Sequence, residues 1–92
     1  MSDAVRDNSS LSRYELAFPG GVAFVTYRKS PGVVSLLHAE VPAQFEGRGI
    51  GAAVTGGALE AIRAAGQKVD PRCSFVAAFI RRHPEYQDLV AS

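Results

Sequence analysis

Ninety-two residues make one small domain, with no room for separate cofactor and substrate domains. A 47% hydrophobic and 21% charged composition is that of an ordinary globular chain, and a net charge of +1 gives no electrostatic case for nucleic acid or an anionic membrane. One cysteine excludes an internal disulfide, there is no zinc-type ligand cluster, and no apolar run approaches ~18 residues, so the expectation is a soluble, metal-free protein of a reducing compartment such as the cytoplasm.

Residues 1–10 are polar and read as a flexible N-terminus, leaving a single domain over residues 11–92. From Ser12 to Phe18 the apolar residues Tyr14, Leu16 and Phe18 alternate, the pattern of a half-buried strand. Pro19-Gly20-Gly21 is a turn, and Val22 to Lys29 is rich in β-branched and aromatic residues until Ser30-Pro31-Gly32 closes it. Val33 to Val41 is apolar enough on both faces for a central strand. Short turns between these three strands predict an antiparallel meander. The period then changes. Ile50, Val54, Ala58, Ala61, Ile62 and Ala65 fall on one side of a helix, with Gly66 as its stop. Gln67 to Asp70 is a short strand ended by Pro71, and Ser74 to Arg82 resumes helical spacing. Phe75, Phe79 and Tyr86 read as core at that spacing, with Tyr86, Leu89 and Val90 packing back after Pro84. The order β-β-β-α-β-α predicts an α+β layer, with helices near 49–65 and 74–82.

The most informative stretch is Glu46-Gly47-Arg48-Gly49-Ile50-Gly51, which sets glycines at alternate positions just before the long helix. Glycine leaves no side chain in front of its amide, and a helix opening there offers free N–H groups and a positive dipole end to phosphate oxygens. Arg48, a cation at the wrong end of that dipole, is easier to explain beside an anion. The spacing is neither a dinucleotide-binding fingerprint nor a P-loop, since no Gly-Lys-Ser/Thr occurs. What remains can hold a pyrophosphate without a metal, as a nucleotide-containing carrier such as coenzyme A requires. A glycine turn with no ligand is the bland alternative.

Val41-Pro42 followed by Glu46–Gly51 resembles the acyl-CoA-binding segment of the GNAT superfamily of N-acetyltransferases. His38-Ala39-Glu40-Val41-Pro42, the run from Lys68 through Pro71-Arg72-Cys73 to Val76, and Arg82-His83-Pro84-Glu85-Tyr86 are together similar to a group of very small GNAT-like proteins. The resemblance spans roughly residues 12–90. It implies a minimal GNAT-like fold: a small, mainly antiparallel sheet whose third strand splays from the fourth, packed with two main helices. It lacks the superfamily's two helices after the first strand and its last two strands. It further implies acetyl-CoA as co-substrate, with acetyl passed to an amine, either a small molecule or a protein lysine. Carried over, the backbone of Val41 contacts the pantetheine arm, while Gly47, Arg48, Gly49, Ile50, Gly51 and Ala52 form the pyrophosphate cradle. The superfamily's tyrosine acid has no counterpart, that area holding Phe79 and Ile80.

Three further candidates follow. Cys73 sits at the strand-to-helix corner, where a helix N-terminus and Arg72 would favour a thiolate; in the GNAT arrangement it faces the thioester, either to accept the acetyl group or to protonate the departing CoA thiolate. A lone cysteine is otherwise a small core residue. His38 and Glu40, two apart on a strand, share a face and are candidates to take the amine's proton. Arg81, Arg82 and His83 complement a helix C-terminus, or Arg82 contacts the 3′-phosphate of coenzyme A. The competing class is a non-catalytic CoA-binding or interaction module. Monomer or weak homodimer is the expected state.

Overall fold

The computed structural model describes residues 4–91. One mixed sheet carries five strands in sequence order: β1 (Val5–Asn8), β2 (Arg13–Phe18), β3 (Gly21–Ser30), β4 (Val33–Glu40) and β5 (Lys68–Pro71). The first four pair antiparallel, and β5 joins β4 in parallel after the helical crossover. Helices α1 (Ile50–Ala64) and α2 (Ser74–Arg82) are followed by a 3₁₀ segment, Pro84–Leu89. This is the expected α+β arrangement, with one strand more than the sequence suggests.

That extra strand corrects the reading of a flexible N-terminus where it falls on residues 5–8, while residues 1–3 lie outside the described residues. Residues 5–8 pair with β2, and each has a partner that a scan along the chain cannot see. Asp7 accepts a 2.6 Å hydrogen bond from the Tyr27 hydroxyl, and the Asn8 amide donates to Glu15 at 3.0 Å. Arg6 lies 3.5 Å from the same carboxylate, and Val5 packs directly on Gly57 of α1. A polar strand is stable here because its polar atoms are spent on distant sheet residues.

Alternation places Tyr14, Ala23, Val25, Tyr27, Val34 and Leu36 on one sheet face, all buried. Val54, Ala58, Leu59 and Ile62 of α1 close over them, joined by Val76, Phe79 and Ile80 of α2 and by Tyr86 and Leu89 beyond it. Tyr14 and Tyr27 rest ring on ring at 4.9 Å, and the Tyr86 hydroxyl donates to Glu60 at 2.6 Å. All the helices described lie on this side. The other face, bearing Ala17, Val22 and Phe24, has no helix over it among the described residues.

One irregularity positions the site. Thr26 pairs with His38 but Tyr27 pairs with Leu36, so Leu37 is an inserted residue in β4. Such a bulge changes the phase of side chains along the sequence and sharpens strand twist. Strict alternation from Val34 and Leu36 would put His38 and Glu40 in the core. Instead Ala39, opposite buried Val25, and Val41 face the helices, while His38 and Glu40 point to the uncovered face.

Candidate functional site

β4 and β5 stay together only from Val33 to Leu36, opposite Lys68 to Pro71. Pro71 has no N–H for a further rung, and the Cys73 amide makes the last link, donating to the Leu36 carbonyl at 2.9 Å. Past this point the bulged half of β4 continues without a neighbour on that side, and the chain after β5 turns into α2. The gap between them is a cleft of about 440 Å³. Its β4 wall is Ala39 and Val41, and α2 supplies Phe75 and Arg82.

The polar end of the cleft is backbone. Gly47 and Gly49 adopt left-handed φ of 83° and 79°, where a side chain on an L-residue is strained, and a Cβ on either would meet nothing within 4 Å. Gly49 is the N-cap of α1, with no side chain capping it and no acid in the first turn. The first internal helix bond runs from Ala53 N–H to Gly49 carbonyl, at 3.0 Å, so the amides of Ile50, Gly51 and Ala52 are left free. Uncapped N–H groups at a positive dipole end, in an open glycine turn, are groups able to hold an anion. Arg82 adds a positive charge from the far wall, whereas Glu46 sets a carboxylate at the mouth.

The rest of the lining is apolar: Ala39, Val41, Phe45, Phe75 and the Ile50 side chain. Phe75 corrects the expectation of a core residue, for it is 42% exposed while Phe79 and Tyr86 are buried. Its i,i+4 pairing with Phe79 disguised it. The signal that finds it is the spacing to Arg82, seven residues on and therefore on the same face of α2.

Of the residues expected in the site, Val41, Gly47, Gly49, Ile50, Gly51, Ala52 and Arg82 come together in this cleft. Arg48 does not line it; its guanidinium lies over the Phe45 ring, 5.4 Å from the centroid. His38 and Glu40 are on the other sheet face, more than half exposed, with Nε2 and Oε1 3.1 Å apart. Cys73 is the half-buried N-cap of α2, at the apex where the strands part. Arg72 beside it is tied to Asp70 at 2.8 Å, so its charge is matched there. The basic cluster also divides: Arg82 reaches the cleft, and His83 stacks on Phe79 at 4.0 Å with Nδ1 2.8 Å from the Phe79 carbonyl oxygen. Among the described residues no group of three or more His, Cys, Asp or Glu could hold a metal.

A family profile described as GCN5-related N-acetyl-transferase matches residues 13–89, from the start of β2 to the end of the last 3₁₀ segment. No curated protein matches the chain. The matched range contains every residue of the cleft and leaves out β1.

Proposed function

The chain belongs to the GCN5-related N-acetyltransferases, and from that premise we propose that the cleft between the end of β4 and α2 binds acetyl-CoA and that its acetyl group passes to an amine. The observation that carries this reading is the two-part character of one cleft. Free amides of a glycine-opened helix suit a pyrophosphate, and apolar side chains continue from them toward the apex, where an uncharged tether fits. Arg82 is the residue for the 3′-phosphate. The end of β4 past Leu36, which has no β5 partner, and Val41 after it offer backbone groups to the amides of the arm.

Acetyl-CoA supplies the activated acetyl group; the C–N bond of the product forms as the C–S bond breaks. Around that exchange the chain's own groups divide the proton work. Cys73, at the apex, donates to the departing thiolate. Glu40, paired with His38 on the uncovered face, takes the proton released by the attacking amine, directly or through water. The acceptor approaches from that face, because the splay is where the two sides of the sheet communicate.

A second reading, a non-catalytic CoA-binding module, is favoured by the same uncovered face, on which the His38 and Glu40 side chains, among the described residues, bond only to each other. Calorimetric titration with CoA and acetyl-CoA tests both; absence of binding at millimolar ligand removes them together. Thiol release across a panel of amines then separates enzyme from module. In the enzyme, Cys73→Ala should lower turnover by about a hundredfold while binding is kept, a general-acid contribution of ordinary size. Unchanged turnover would take Cys73 out of the mechanism.

A further inference from the structure

Gly47 and Gly49 bring no side chains to the turn before α1, so its position is set by the segments at its two ends. One end is α1 itself. The other is the 3₁₀ turn Ala43–Phe45, closed by the Phe45 amide donating to the Pro42 carbonyl at 2.8 Å. That turn is seated on the connection between β2 and β3, which lines no part of the cleft. The Phe45 ring meets Phe18 edge to face, with centroids 4.9 Å apart, and its tip lies on the Gly20 backbone. A Cβ on Gly20 would stand 2.5 Å from the ring's Cζ, closer than such carbons approach, and Gly20 holds a φ of 103° that disfavours any side chain. From the glycine turn, the Arg48 guanidinium lies over the same ring. Phe45 thus joins two turns that are more than twenty residues apart in sequence.

We propose that Gly20 is a positioning residue for the anion end of the cleft. The bare backbone of the β2–β3 turn seats Phe45, and Phe45 sets where the Gly47–Gly49 turn lies beside the opening amides of α1. The effect on ligand binding rests on the reading of the cleft as an acyl-CoA site, whereas the placement is a property of the free chain. Gly20 reaches no ligand; it acts through the ring alone. Phe45 is outside the hydrophobic core, so its seat serves the turn that follows rather than the packing of sheet on helix. A side chain at position 20 finds the ring in its place and displaces it. Phe45 is two residues from Gly47, so the displacement passes directly into the glycine turn. Misplacing a binding group by ~1 Å is costly even when the cause is remote.

The test is a double-mutant cycle on the complete chain with two readouts. In amide ¹H–¹⁵N spectra without ligand, Gly20→Ala should move the Gly47 and Gly49 resonances, and it should leave them nearly in place when Phe45→Leu has removed the ring's tip. In calorimetric titration with CoA, Gly20→Ala should weaken binding about tenfold in the wild-type background and no more than about twofold in the Phe45→Leu background. Backbone strain at position 20 is common to both backgrounds, so the difference isolates the ring. Equal losses in the two backgrounds would make Gly20 a merely structural turn residue, and unmoved Gly47 and Gly49 resonances would mean that their turn is placed without it; either overturns the proposal. If Gly20→Ala does not fold, Phe18→Leu, which removes the edge on which Phe45 leans, is judged by the same two criteria. A wild type that binds no CoA, in a chain whose resonances move as expected, supports the seat of Phe45 and overturns the acyl-CoA reading.

Discussion

Glu46 is an acid placed against the grain of its surroundings. It lines the end of the cleft where Gly47, Gly49 and the opening amides of α1 invite an anion. Like charges at such a site repel through partly exposed, weakly screened space. Glu46→Gln should therefore strengthen CoA binding by several-fold at low ionic strength, with the gain shrinking as salt is added. Calorimetry at two salt concentrations measures it, and a gain absent at low salt would place the ligand's phosphates elsewhere. The glycine turn and the opening of α1 are legible in the sequence because they are neighbours in the chain. Phe75 is not legible in that way. Whether a helical Phe is core or cleft wall depends on which of its faces finds a partner, and that is decided by Gly51 and Val41, far off in sequence. The face taken by His38 and Glu40 is likewise hidden, since it turns on the one inserted residue, Leu37.

At the scale of elements, two adjacent glycines in α1 face different neighbours. Gly57 lies against Val5, and a Cβ there would collide with the valine side chain, whereas a Cβ on Gly56 would find only Phe79 at an ordinary 3.5 Å. Alanine improves helix propensity by ~1 kcal/mol over glycine, and overpacking costs about 1–3 kcal/mol. Gly56→Ala should thus stabilise the fold by up to about 1 kcal/mol, and Gly57→Ala should destabilise it. Adding Val5→Ala to Gly57→Ala should recover part of the loss in a double-mutant cycle by urea denaturation. Additive effects would mean that β1 does not rest on α1. The meander and both helices are legible from periodicity and turn residues, since each repeats its signal over several residues, whereas short β5 is bounded only by Gly66 and Pro71 and its parallel pairing with β4 is not legible. β1 is not, because a four-residue strand with one apolar residue carries almost no periodic signal. Its stability comes from Gly57, Glu15 and Tyr27, contacts of long sequence separation.

For the molecule as a whole, the sheet, the helices and the last 3₁₀ segment meet in one core, and the chain's three tyrosines are all enclosed at its margins. Burial, reinforced by Asp7, pushes the Tyr14 phenol up to about 12. Burial and the Glu60 hydrogen bond bring Tyr86 to about 12, and burial with the Asp7 hydrogen bond raises Tyr27 further still. An unfolded phenol loses its proton near ~10, so above that pH the unfolded chain holds fewer protons than the native one. The tyrosines' contribution to stability is full below about pH 10 and drains away as pH rises toward 12. Spectroscopically, the folded protein should stay dark in the tyrosinate band through mild alkali. Its phenolate absorbance should then appear together with the loss of circular dichroism, as one transition. A phenolate signal that rises near pH 10 with the dichroism intact would show that at least one ring is not closed in.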